Sequence, residues 1–197
     1  MIAILDYGSG NLRSALRAFE TTGRKVFLTS DPEVADKSDA LVVPGVGAFG
    51  SCMQGLKSVN GDEVVKSRAA AGRPTLGICV GMQILFEKGV EHGTFEGIGA
   101  LKGVVEKMSA PVLPHMGWNN VEITGTTKLF KGVEKESFYF VHSYAVKNSD
   151  SATYASTDYF GKFLSAVESG SISATQFHPE KSGAAGLKLI NNWVESL

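Results

Sequence analysis

The first hundred residues alternate short apolar runs with helical patterns, and this rhythm limits the possible folds more than any other feature of the chain. Ile2–Leu5 reads as a buried strand. Leu12, Ala15, Leu16 and Phe19 then recur at i, i+3, i+4 and i+7, one face of a helix, with Gly23 placed to end it. Lys25–Leu28 predicts a second strand, and Ser30-Asp31-Pro32 a helix start with proline in the first turn. Ala40–Val43 predicts a third strand, closed by Pro44-Gly45-Val46-Gly47. A helical stretch follows to about Ala71, broken near Asn60-Gly61, and Thr75–Ile78 predicts a fourth strand. Repeated strand–helix units imply a parallel sheet, because parallel neighbours need crossover connections and those cover both faces.

The pattern changes after about Gly89. Gly93, Gly97, Gly99 and Gly103 interrupt the next segment, and β-rich runs follow at Val121–Thr124, Ser137–Val141, Ala152–Ala155, Phe163–Glu168 and Ile172–Phe177. These predict antiparallel strands, either added to the first sheet or forming a second small one. The tail from Ala184 predicts a helix with Leu187, Ile190, Val194 and Leu197 in one stripe. The expected architecture is α/β: three layers, a mostly parallel central sheet with helices on both faces, and an added antiparallel β region in the C-terminal half. With no repeat or linker evident, residues 1–197 read as one domain.

At 197 residues, 43% apolar and 20% charged, the chain has enough apolar material for a real core. A formal net charge of −1 gives no electrostatic reason to expect nucleic acid or an anionic membrane as partner. Met1-Ile2-Ala3-Ile4-Leu5-Asp6 is too short an apolar run for a signal peptide or a span. Two cysteines are too few for a disulfide framework, so a reducing, cytoplasmic setting is expected.

The chemistry centres on Thr75-Leu76-Gly77-Ile78-Cys79-Val80-Gly81-Met82-Gln83, where an apolar run meets a glycine-flanked turn and then helix formers. This is the sequence shape of a nucleophile elbow: a tight strand-to-helix turn that presents one side chain to a substrate. The N-terminal end of the following helix favours thiolate over thiol. A cysteine also needs an imidazole to take its proton and later deliver one to the leaving group. Of His92, His115, His142 and His178, the last is the strongest candidate, ending a strand-like run in Gln176-Phe177-His178-Pro179-Glu180. Glu180, two residues on, can fix its tautomer and stabilise the imidazolium.

Acyl transfer also needs donors for the developing oxyanion. The backbone N–H of Val80, next after the nucleophile, is one candidate. The second is expected from Val46 or Gly47, because glycines on both sides of Val46 leave that peptide free to present either C=O or N–H. Cys52 reads as a small buried residue and His92 as a surface or loop histidine. No Cys/His/Asp spacing supports a metal site, so neither metal nor other cofactor is expected.

On these residues the chain resembles the class I, triad-type glutamine amidotransferases. The matching segments run in order through nearly its whole length: Asp6-Tyr7-Gly8-Ser9-Gly10-Asn11-Leu12, Pro44-Gly45-Val46-Gly47-Ala48-Phe49, Gly77 to Gln83, Pro114-His115-Met116-Gly117-Trp118-Asn119, Phe140-Val141-His142-Ser143-Tyr144 and Gln176 to Ser182. The cysteine elbow and His-x-Glu are common to the class. The first, second and fourth segments resemble the branch whose ammonia feeds imidazole glycerol phosphate formation in histidine biosynthesis.

The resemblance implies that Cys79 attacks the side-chain amide of glutamine and that ammonia passes to a (β/α)8-barrel synthase (cyclase) partner in a heterodimer. It also implies that Gln83, one helical turn past Cys79, helps hold glutamine, with further backbone contacts from Ser143 and Tyr144. Asn11, Trp118, Asn119 and Lys181 match positions that face the partner. Core packing of Trp118 and a solvated Lys181 remain open alternatives. Val80 stands where leucine is more usual, and Ser143 where threonine is common. The rival readings are a glutaminase subunit serving another acceptor, and a Cys-His hydrolase or peptidase on a similar sheet.

Overall fold

The computed structural model describes residues 1–151 and 153–197. The N-terminal half follows the predicted rhythm: β1 (Ile2–Leu5), α1 (Leu12–Glu20), β2 (Val26–Thr29), α2 (Pro32–Lys37), β3 (Ala40–Gly45), α3 (Phe49–Ser58), α4 (Gly61–Ala70), β4 (Thr75–Cys79) and α5 (Val80–Gln83). Local chemistry sets these boundaries. Asn11 caps α1 by accepting from the Ser14 N–H, and Asp31 caps α2 by accepting from Glu33 and Val34. Asn60, at φ +54°, turns the chain between α3 and α4.

Ten strands and one helix follow: β5 (Phe86–Gly89), β6 (Phe95–Glu96), β7 (Leu101–Lys107), β8 (His115–Asn120), β9 (Glu122–Thr124), β10 (Ser137–His142), β11 (Tyr144–Ala145), β12 (Thr153–Asp158), β13 (Lys162–Ser169), β14 (Ile172–Thr175) and α6 (Gly183–Glu195). The expected strand Ala152–Ala155 is β12, and Ala152 lies outside the described residues. The central sheet has the order β2-β1-β3-β4-β14-β13-β12-β9. Its first five strands are parallel and the last three add antiparallel. The antiparallel pair β10–β8 and the four-stranded sheet β11-β7-β5-β6 are separate from it.

Two expectations need correction, and the helix behind Cys79 is short. Ile172–Phe177 was expected in the antiparallel region, but its strand, β14, lies parallel to β4, with Thr75 opposite Ile172. Composition cannot show this, because strand direction is decided by the partner and not by the residues. The helix after Cys79 is a single turn, since Phe86–Gly89 leaves it to form β5. In α6 the buried face is Leu189, Ile190, Trp193 and Val194, whereas Leu187 and Leu197 are exposed. Trp193 turns the helix that way by packing edge-on to Phe19 of α1, ring centroids 5.9 Å apart.

The parallel strands are buried throughout, and one contiguous apolar core runs from them into the C-terminal half. Phe130, Phe138, Phe140, Phe163 and Phe177 form an aromatic cluster beneath β10 and β14, with Phe138 and Phe177 stacked at 4.3 Å. Arg68 of α4 is fully buried and donates to the carbonyls of Ala35, Asp36, Ser38, Asp39 and Pro74. It ties α2 and the entry to β4 to the helix above them. Burial, helped by the charge of Arg73, draws its guanidinium down to about 10.

Candidate active site

Strands β4 and β14 are hydrogen-bonded neighbours running the same way, so their C-terminal ends open on one spot. β4 delivers Cys79 there. Its backbone sits at φ +57°, ψ −115°, a region that a side-chain-bearing residue adopts only when its surroundings force it. Gly81 is part of that force, since a Cβ on it would lie 1.8 Å from the Val43 carbonyl oxygen. Three residues beyond β14 the chain delivers His178, and Pro179–Lys181 forms a 3-10 turn. The turn swings Glu180 back, so that its Oε1 accepts from Nδ1 of His178 at 2.8 Å.

This arrangement is dry and rigid. The side chains of His178 and Glu180 are 2% and 3% exposed, and Ser182 Oγ donates to the His178 carbonyl at 2.7 Å. Because Nδ1 is bound to the carboxylate, the reactive nitrogen is Nε2, buried and without a hydrogen-bond partner among the described residues. Burial pulls the imidazolium down. The nearby Cys79 sulfur and the Glu180 carboxylate more than reverse this, raising His178 to about 10. A ring so held stays protonated through neutrality.

Cys79, Val80, Gln83, Val46, Gly47, Ser143, Tyr144, His178 and Lys181 all border one cavity of about 220 Å³. Nine sequence-predicted positions are thus brought together. The Val46 carbonyl accepts from Ser9 Oγ at 2.8 Å and Cys52 Sγ at 3.3 Å, neither of which borders the cavity. A planar trans peptide then turns the Gly47 N–H the opposite way, and that N–H has no partner among the described residues. The Val46 N–H is engaged by Ser9 Oγ at 3.0 Å.

The partner-facing positions divide. Trp118 is 57% exposed, which excludes core packing, and Lys181 is exposed at the cavity edge. Asn119 turns inward, donating to the Asp158 carbonyl at 3.1 Å and lying 3.3 Å from His115 Nε2. Asn11 is exposed beyond its capping bond.

Three residues that sequence reasoning did not single out also belong here. Glu91 borders the cavity, with one carboxylate oxygen taken by the Phe49 N–H at 2.8 Å. Its β-rich, glycine-broken surroundings carry no motif that would flag it. His142 borders the cavity too, and its Nδ1 donates to the Tyr144 carbonyl at 3.0 Å. Its Nε2 must then accept from Nδ1 of His115, 3.2 Å away. Burial lowers His115 to about 4 and His142 to about 3, so both rings are neutral. Gln176 is buried and donates to the Cys79 sulfur at 3.8 Å. A cue existed for it: alternation along an extended chain puts residues 176 and 178 on one side. Among the described residues no cluster of three or more His, Cys, Asp or Glu is arranged to hold a metal, and no helix is long and apolar enough to cross a membrane.

Comparison with known proteins gives a consistent result. The family model for glutamine amidotransferase class-I matches residues 3–197. The chain is similar to the imidazole glycerol phosphate synthase subunit HisH of Nocardia farcinica, 53% identical and covering 100% of this chain and 98% of that one. It is similar to the subunit of the same name from Thermobifida fusca, 51% identical over 100% of this chain and 98% of that one. A solved structure described as a glutamine amidotransferase superposes with a TM-score of 0.77, covering 98% of this chain and 97% of that one. At 18% identity, it speaks to fold alone.

Proposed function

This chain belongs to the class I glutamine amidotransferases, and from that premise we propose that it works through Cys79, His178 and Glu180 as the glutaminase subunit of an imidazole glycerol phosphate synthase. The observation that carries the reading is the meeting of a strained, buried cysteine with a carboxylate-held imidazole, from positions ninety-nine residues apart (178 − 79 = 99).

The Cys79 thiolate attacks the side-chain amide carbon of glutamine. The Val80 and Gly47 N–H groups receive the charge that develops on the amide oxygen. His178 gives its proton to the departing nitrogen, which leaves as ammonia, and a glutamyl thioester remains. The neutral imidazole then takes a proton from water, the resulting hydroxide attacks the thioester, and glutamate leaves as the thiolate is restored. Glu180 holds the ring in the required tautomer throughout. Glu91 supplies a carboxylate for the α-ammonium of the substrate, and the Ser143–Tyr144 backbone borders the same space.

The cavity is smaller than the roughly 300–1,000 Å³ of pockets for drug-sized ligands and at about 220 Å³ suits one amino acid better than a peptide. This favours a glutaminase over a peptidase. Ammonia passes to a (β/α)8-barrel synthase that docks as a heterodimer over exposed Trp118, Lys181 and Asn11, while Asn119, turned inward, supports the strand that carries Trp118. The contiguous core supports residues 1–197 acting as one domain, and two free cysteines suit a reducing cytoplasm.

Cys79→Ala should abolish glutamine hydrolysis while co-purification with the barrel synthase persists. Glutaminase activity of the wild-type pair should rise when the nucleotide acceptor is added. An active Cys79→Ala variant would remove the mechanism, and indifference to the nucleotide would point to a different acceptor.

A further inference from the structure

We propose that Gln176 is a positioning residue for the nucleophile: its side-chain N–H, oriented from the Tyr144 carbonyl through Gln83, holds the Cys79 sulfur as thiolate facing His178. This rests on reading Cys79 as the nucleophile.

The orientation is forced, one group at a time. A backbone carbonyl can only accept, so the Gln83 atom 2.9 Å from the Tyr144 oxygen must be Nε2. The same Nε2 lies 3.0 Å from the Gln176 amide. Two NH2 groups cannot bond to each other, so Gln176 must present Oε1 on that side. Its Nε2 is then left facing the sulfur, 3.8 Å away. Turning the amide over would set donor against donor and aim an oxygen lone pair at a thiolate. Gln83 and Gln176 are 3% and 1% exposed, so water cannot repair that mismatch.

A donor so placed stabilises sulfur in its anionic state and does little for the neutral sulfur of a thioester. It therefore helps twice: in the resting thiolate–imidazolium pair, and when hydrolysis expels the thiolate again. No bond to Gln176 forms or breaks.

The test measures alkylation of Cys79 by iodoacetamide against pH in the full chain, by mass spectrometry of the peptide carrying Cys79. Wild type is compared with Gln176→Met, Gln176→Glu and His178→Asn. Losing a hydrogen bond to a charged sulfur should move the Gln176→Met curve about one pH unit upward, slowing alkylation about tenfold on its rising limb. Glutamine turnover should fall in kcat with KM little changed. Gln176→Glu keeps the bond from Gln83 but points an oxygen at the sulfur, and should shift the curve at least as far. It also decides the matter if Gln176→Met does not fold.

If both Gln176 variants follow the wild-type curve while His178→Asn is displaced, the proposal is wrong and the nucleophile stands. If His178→Asn also follows wild type, the nucleophile reading itself fails. A raised KM at unchanged kcat would assign Gln176 to substrate holding instead, and would likewise overturn the proposal.

Discussion

Glu180 shows how little a lone side chain reveals in sequence and how much it does in place. Its carboxylate is one of the influences that keep the His178 ring charged against the cost of burial. In Glu180→Gln that attraction goes, so the imidazolium should lose its proton at lower pH and the alkaline limb of glutamine hydrolysis should move toward neutrality. A fall of about 10²–10⁴ in kcat should accompany it, the usual scale for general acid–base assistance. An unmoved limb in a pH–rate profile would show that Glu180 does not govern the ring.

The same linkage affects stability. Because the folded proton affinity of His178 is raised, its contribution is complete below the unfolded value of about 6.5 and is lost as pH climbs through about 10. His115 and His142 behave oppositely: their contribution is present above about 6.5 and fades as pH falls toward 4 and 3. Cysteine, histidine and glutamate were legible because they occupy a contiguous elbow and a contiguous tripeptide. Glu91 and His142 were not, since their roles arise only from what folding brings opposite them, and Gln176 had no more than its spacing from His178 to mark it.

The element that sets the site is the β4–α5 turn. Its location and its glycines were legible, but the shortness of the helix behind it was not: that helix ends after Gln83, and buried Phe86 opens β5. With one turn of helix there is little macrodipole, so the counter-charge for the thiolate falls mainly to His178. Two glycine substitutions separate space from backbone strain. Gly81→Ala sets a methyl 1.8 Å from the Val43 carbonyl and should leave the protein insoluble or unfolded. Gly47→Ala meets nothing within 4 Å but must hold φ +91°. It should fold with a loss of about 1–2 kcal/mol, read from denaturant midpoints. Equal losses in the two variants would contradict this account of the elbow.

At the scale of the whole molecule, the parallel half was readable because its repeats are local, whereas the placement of β14 depends on a partner nearly a hundred residues away. Centrality in the sheet should be visible in amide hydrogen exchange. β3, β4 and β14 should exchange slowest, while β9 and β6, short strands at sheet margins, should exchange fastest. Rapid exchange in β4 would mean that the sheet is not one cooperative unit. The insertion of β14 between β4 and β13 has a further consequence, felt while the chain is being made. Until residues 172–175 leave the ribosome, the apolar margin of β4 has no neighbour on that side, and the nascent protein carries an adhesive seam. Slowed translation of the last quarter, or shortage of a chaperone, should therefore show first as aggregation, well before any loss of catalytic quality in the molecules that finish.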